Sequence, residues 1–241
     1  MTVHLNNNDM RARTLKVVRD DGPSLFCHVS KQLTSKSLEQ SLFIRAIEVN
    51  DIVIAAGSAG TGKTFISAYL ALKALEAGTV KKIVITRPAK ESGERIGFLP
   101  GTYEDKMEPY LRPIMDAFEF FGLNFIAFRQ CLTAGTIEIA PVGYLRGRTF
   151  NDCFVLVDEA QSLSVDQMLM VLTRAGQNCK LVISGDPTQS DLPQGIESGL
   201  QVAIDKLNNV PSVGICKFSN GSIIRSRVVK DILSAWDKSD S

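Results

Sequence analysis

Residues 57–64 read Gly57, Ser58, Ala59, Gly60, Thr61, Gly62, Lys63, Thr64. Two glycines, a lysine and a hydroxyl at this spacing make a complete phosphate-binding loop. Average residue usage would produce the pattern by chance in about one chain per hundred of this length. Its flanks make chance a poor account. Asp51–Ala56 before it is a short apolar strand, and Phe65–Leu75 after it has the composition of a helix, stopped at Gly78. Strand, glycine loop and helix are the context the motif requires.

The chemistry follows from geometry. The glycines allow the backbone N–H groups of residues 60–64 to turn inward around phosphate oxygens. A helix starting near Gly62 points its positive end at the same anion. Lys63 then reaches the β- and γ-phosphates of ATP, and the Thr64 hydroxyl serves Mg²⁺. A glycine-rich turn before a buried helix is the alternative, but a buried lysine without an anion is costly.

The chain has 241 residues, 44% of them hydrophobic, and a net charge of +1. That length suits one α/β domain or two small ones. No apolar run has the length to span a bilayer, and the first ten residues lack the apolar stretch of a signal peptide. A cytoplasmic location with no membrane association is the expectation. The five cysteines are scattered, without a close pair, which argues against a disulfide framework or a zinc site; Cys153 reads as core packing. His4 and His28 are the two histidines, so acid–base chemistry by histidine has no candidate beyond the loop. The near-neutral charge gives no global field for nucleic acid. Local basic clusters at 81–95 (Lys81, Lys82, Arg87, Lys90, Arg95) and near the end (Arg225, Arg227, Lys230) are either solvated faces or polymer contacts.

Residues 1–33 are polar and read as an arm or small appendage, 34–236 as the nucleotide-binding domain, and 237–241 as a disordered tail. Leu38, Leu42, Phe43, Ala46 and Ile47 fall at helical spacing. Strands are expected at 51–56, 82–86, about 136–140, 153–157, 180–184 and 212–218. Most are short continuous apolar runs, as strands buried on both faces should be. Helices between them imply an α/β, three-layer domain with a mainly parallel sheet. Ser164 to Gln167 reads as a capping box opening a helix that ends before Gly176. The segment 88–101 reads as a long functional loop.

Phe154–Gln161 is an apolar strand ending in acids. Parallel sheets bind ligands beyond the carboxyl ends of their strands. Asp158 is therefore expected beside the phosphate loop, holding Mg²⁺ through water, with Glu159 orienting or deprotonating the attacking water. Leu181–Gln189 is a third strand with a polar exit, where Gln189 is placed to sense the γ-phosphate.

Together these blocks resemble the PhoH-like family, ATPases whose core is similar to superfamily 1 helicases. The resemblance rests on Gln40, the loop at 57–64, Thr86-Arg-Pro88, Gly93-Glu94, Gly97-Phe-Leu-Pro-Gly101, Pro109-Tyr-Leu-Arg-Pro113, Arg146-Gly-Arg-Thr149, Asp158-Glu-Ala-Gln161, Leu172-Thr-Arg174 and Gly185-Asp186 with Gln189. It covers roughly 35–235 and is most like the small stand-alone members, several of them from phages. It implies a RecA-like fold. It implies that Gln40 reads the adenine edge, although Ser37 and Gln40 also fit a capping box. It implies that Thr86 and Arg87 touch a nucleic-acid backbone, with Phe98 either a stacking surface or a core anchor of its loop. Arg225 matches an arginine usually followed by histidine; Ser226 stands there instead.

Helicases of that superfamily place ATP between two similar domains, the second supplying an arginine. One phosphate-loop domain here implies a neighbouring subunit as the source, hence a homo-oligomer, up to a hexameric ring. Arg146, Arg148, Arg174 and Arg225 are the candidates. The activity expected is ATP hydrolysis driving a motor or switch on single-stranded RNA or DNA, RNA favoured. A regulatory ATPase acting on a protein partner is the alternative. A kinase must keep water from the γ-phosphate, and a glutamate poised on water argues against it.

Overall fold

The computed structural model describes residues 27–88, 103–219 and 228. Six strands form one sheet: β1 (Ile52–Gly57), β2 (Lys82–Thr86), β3 (Ile137–Ile139), β4 (Cys153–Val157), β5 (Lys180–Gly185) and β6 (Val213–Phe218). Their order is β3-β2-β4-β5-β1-β6, and every pairing is parallel. Each expected strand is found within a residue or two of its predicted bounds.

Parallel strands are covered on both faces, and side chains alternate between the two. On one face Val53, Ala55, Ile83, Ile85, Phe154, Leu156, Val182 and Cys216 pack under α1 (Leu38–Val49), α2 (Lys63–Glu76), α3 (Tyr103–Phe121) and α4 (Phe125–Ala134). On the other, Ile54, Val84, Val155, Leu181, Ile183 and Ile215 pack under α5 (Val165–Leu172) and α6 (Gly199–Leu207). Cys153 is buried among these, as core packing. The architecture is the three-layer α/β arrangement expected.

The helices are set by local chemistry. Ser37 caps α1 by accepting from the Gln40 N–H, and Ser164 and Gln167 close a full capping box on α5. α2 carries Ala68, Ala71 and Ala74, all buried, which lets its axis lie close to the sheet. Its outer side meets α3 through Phe65 and Tyr69, whose rings lie 4.6 and 4.8 Å from that of Phe121.

The packed body begins ahead of the expected boundary at 34. The Ser30 N–H donates to the Phe121 carbonyl at 2.8 Å, the Val29 N–H to Glu76 at 2.9 Å, and the Tyr69 hydroxyl to Gln32 at 2.6 Å. These bonds join Val29, Ser30 and Gln32 to α2 and α3. The remainder of the predicted arm and tail, and most of the 88–101 loop, lie outside the described residues. No helix among the described residues is long and apolar enough to cross a membrane.

Candidate nucleotide site

The loop leaves β1 through Gly57 and enters α2 at Lys63. Gly57, Gly60 and Gly62 have φ of 148°, 83° and 92°, a region that only glycine enters freely. At Gly57 space adds a second restriction, since a Cβ would stand 2.5 Å from the Phe218 carbonyl oxygen on β6. Gly62 caps α2 without any side-chain hydrogen bond, so the first-turn N–H groups are left to a ligand anion. Thr61 is fully buried and its hydroxyl donates to the Ser58 carbonyl at 3.0 Å.

Lys63 lies over this loop. Its ammonium donates to the carbonyls of Gly57 at 2.5 Å and Ser58 at 2.9 Å, and to the Thr61 hydroxyl at 3.3 Å. Burial pushes its pKa down, while Asp186, Asp158 and Glu159 pull it back up. A buried cation facing three acids is suited to a polyanionic ligand held together with a metal ion.

β5 stands between β1 and β4, so its carboxyl end supplies the link between loop and acids. Asp158 follows β4 and is 6% exposed. One of its oxygens accepts from the Thr64 hydroxyl and from the Ser184 hydroxyl of β5, each at 3.0 Å. Burial raises the Asp158 pKa; the Arg87 guanidinium opposes this and the neighbouring Glu159 adds to it. The donor set is hard oxygen: one hydroxyl and one carboxylate. That suits Mg²⁺, which takes one or two carboxylates and completes its shell with phosphate oxygens and water. Among the described residues no three His, Cys, Asp or Glu side chains cluster as a metal cage, so a metal here depends on the ligand's own oxygens.

Glu159 has φ 55° and ψ 39°, a left-handed conformation that costs a non-glycine residue about 1–3 kcal/mol. Its side chain is 35% exposed and both oxygens are engaged. One pairs with the Arg87 guanidinium at 3.2 Å, and the other accepts from the Gln161 amide at 2.5 Å. Gln161 also accepts from the Asp186 N–H at 3.1 Å, tying β4's exit to β5's. Gln189 donates to Asp186 at 2.9 Å and stands at the exposed mouth of the same strand.

Loop, Lys63, Thr64, Asp158, Glu159 and Gln189 thus share one end of the sheet. The carboxamide of Gln40 donates to the Thr61 carbonyl at 2.9 Å and accepts from the Lys36 N–H at 2.8 Å. It braces the loop, and adenine contact requires exchanging one of those bonds. Thr86 is 1% exposed, and Arg87 turns in toward Asp158 and Glu159 with 16% of its side chain exposed. Lys81 and Lys82 are likewise paired, with Asp152 at 3.9 Å and Glu138 at 3.1 Å. Arg148 makes a fork to Glu138 on edge strand β3, and Arg174 donates to the carbonyls of Met170 and Arg148. Both are bound within their own subunit, because a β-edge carboxylate and a helix end lie within reach. Arg146 is exposed beside Tyr144. Phe98 and Arg225 lie outside the described residues.

Ser184 and Gln161 escaped sequence reasoning as contributors to the site. A lone serine inside an apolar run carries no signal. Gln161 stood in a quoted block, but its partners are visible only once β4 and β5 are adjacent.

The PhoH-like protein family matches residues 32–237. A "PhoH-like protein" of Mycobacterium tuberculosis strain H37Rv is 44% identical over 207 residues, covering 86% of this chain and 58% of the relative. A Bacillus subtilis "PhoH-like protein" is 42% identical, with 86% and 65% covered, and "Protein PhoH" of Escherichia coli K12 is 39% identical, with 85% and 58% covered. The chain thus spans about three fifths of the length of these relatives. The crystal structure of Bacteroides Pif1 bound to single-stranded DNA matches at a TM-score of 0.32 and 12% identity, covering 77% of this chain and 42% of that one.

Proposed function

The chain belongs to the PhoH-like protein family, a P-loop, ATPase-like group, and from that premise we propose that it hydrolyses ATP to drive a motor or switch on single-stranded nucleic acid, RNA favoured. The observation that carries the ATPase half is the Thr64–Asp158–Ser184 cluster set against the Lys63 loop. Bound Mg²⁺ would neutralise charge developing on the phosphates. Thr64 and Asp158 would hold it, Asp158 through water. Lys63 would leave the loop carbonyls for the β- and γ-phosphate oxygens, and the first turn of α2 would donate N–H groups to them. Glu159 would take the proton of the attacking water, and Gln189 would report the γ-phosphate to β5's exit.

An arginine from a neighbouring subunit completes this reading; Arg148 is held by its fork to Glu138 and Arg174 by hydrogen bonds to backbone carbonyls, which favours Arg146. The second reading, a regulatory ATPase controlling a protein partner, gains from the inward placement of Thr86 and Arg87. One experiment separates them: steady-state Mg²⁺-dependent ATP hydrolysis with and without single-stranded RNA or DNA, using Lys63→Ala and Glu159→Gln as controls. Stimulation by polymer, lost in both variants, supports the nucleic-acid reading; a rate indifferent to polymer moves the protein to the partner switch.

A further inference from the structure

Glu159 is the residue expected to activate water, yet both of its oxygens are already used. Arg87, just past β2, holds one at 3.2 Å, and Gln161 holds the other at 2.5 Å. A carboxylate with one oxygen held by a guanidinium and the other by a short amide bond is aimed at its partners and not at a water molecule. Arg87 also lies 3.9 Å from the second oxygen of Asp158, and its side chain is 16% exposed. It therefore spans the metal-side acid and the base.

We propose that Arg87 and Gln161 are positioning residues that clamp Glu159 idle, and that a phosphodiester of a single-stranded polynucleotide opens the clamp by drawing the Arg87 guanidinium away. A guanidinium fork binds phosphate and carboxylate with the same planar, bidentate geometry. A phosphodiester is thus a direct competitor for the group that holds Glu159. Gln161 then keeps one oxygen and the other turns to water. The opener rests on the nucleic-acid reading above; the clamp does not.

The test is steady-state ATPase kinetics on the full chain, with and without single-stranded RNA, for the wild type, Arg87→Ala, Arg87→Lys and the double variant Arg87→Ala/Glu159→Gln. RNA binding is followed in parallel by fluorescence anisotropy. Freeing Glu159 of one charge-assisted bond should raise the RNA-free kcat of Arg87→Ala about tenfold or more. KM for ATP should stay unchanged, and RNA should add no further stimulation. Arg87→Lys, which keeps the charge and loses the fork, should fall between, and it decides the matter if the alanine variant does not fold. The double variant should return to the rate of Glu159→Gln. An RNA-free rate that falls in both Arg87 variants while ATP still binds overturns the clamp, as does a raised rate that survives loss of Glu159. A wild type that neither binds nor responds to RNA overturns the opener and the nucleic-acid reading, whatever Arg87→Ala does. A wild type stimulated by RNA, with Arg87→Ala unchanged at the RNA-free rate, overturns the clamp alone.

Discussion

At the residue scale the site divides into groups that bind and groups that react. Lys63 makes three hydrogen bonds to its own loop, and a nucleotide must replace all of them. Lys63→Ala is expected to abolish measurable ATP binding in calorimetry, because the phosphates then meet no cation at the loop. Glu159→Gln keeps the size and loses the base, so kcat should fall by about 10²–10⁴ with ATP affinity retained. Gly57→Ala and Gly62→Ala look alike in sequence and should behave differently. At Gly57 the obstacle is a backbone carbonyl at 2.5 Å; at Gly62 it is the end of the Gln40 side chain at 2.7 Å, which can swing aside. Gly57→Ala should cost about 3 kcal/mol or more through clash and strained φ together, and Gly62→Ala clearly less, both read from urea midpoints. The motif announced which residues matter here. It did not announce why the first glycine is stricter than the third, since that depends on β6, far along the chain.

At the element scale, the carboxyl end of the sheet carries the ligand groups and the amino end carries a different arrangement. Lys180, the first residue of β5, is 2% exposed and donates to the carbonyls of Asn50 and Glu48 at the end of α1. Burial lowers its pKa from the ordinary 10.5 to about 8. Between those values the unfolded chain holds a proton that the folded chain has released, so stability should rise as pH climbs from about 8 toward about 10.5. The gain is at most about 3 kcal/mol, and Lys180→Met should flatten the slope in urea titrations run across that window. Most of the strands were legible as continuous apolar runs, β3 with Glu138 between two isoleucines being the exception, and α1 and α5 because Ser37 and Ser164 mark their starts. The short helix α4 was not singled out: its apolar residues are mostly exposed or half-buried, so periodicity marks only Phe128 and Cys131 as core.

At the scale of the whole molecule, strand order was the part no local pattern could give. Apolar runs announce strands, but only the assembled sheet shows β5 between β1 and β4, and with it the roles of Ser184 and Gln161. The assembly reading belongs to this scale as well. Arg146→Ala should lower kcat by about 10³ or more if that side chain acts across a subunit boundary. ATP affinity should be unchanged, and activity should return when the variant is mixed with Lys63→Ala subunits. Failure of the mixture to regain activity, with an ATP-loaded species sedimenting as a monomer, would remove the trans arginine. The same strand order also sets a timetable for synthesis. β1 emerges from the ribosome before β2, β3 and β4, yet both of its neighbours, β5 and β6, follow all three in the chain. At about 5–20 residues per second, the nascent chain carries an unpaired apolar strand for several seconds before any partner exists. Gly57 cannot find the Phe218 carbonyl it packs against until the sixth strand is out. A chaperone that shields exposed strand edges is therefore expected to engage β1 until β5 has been made.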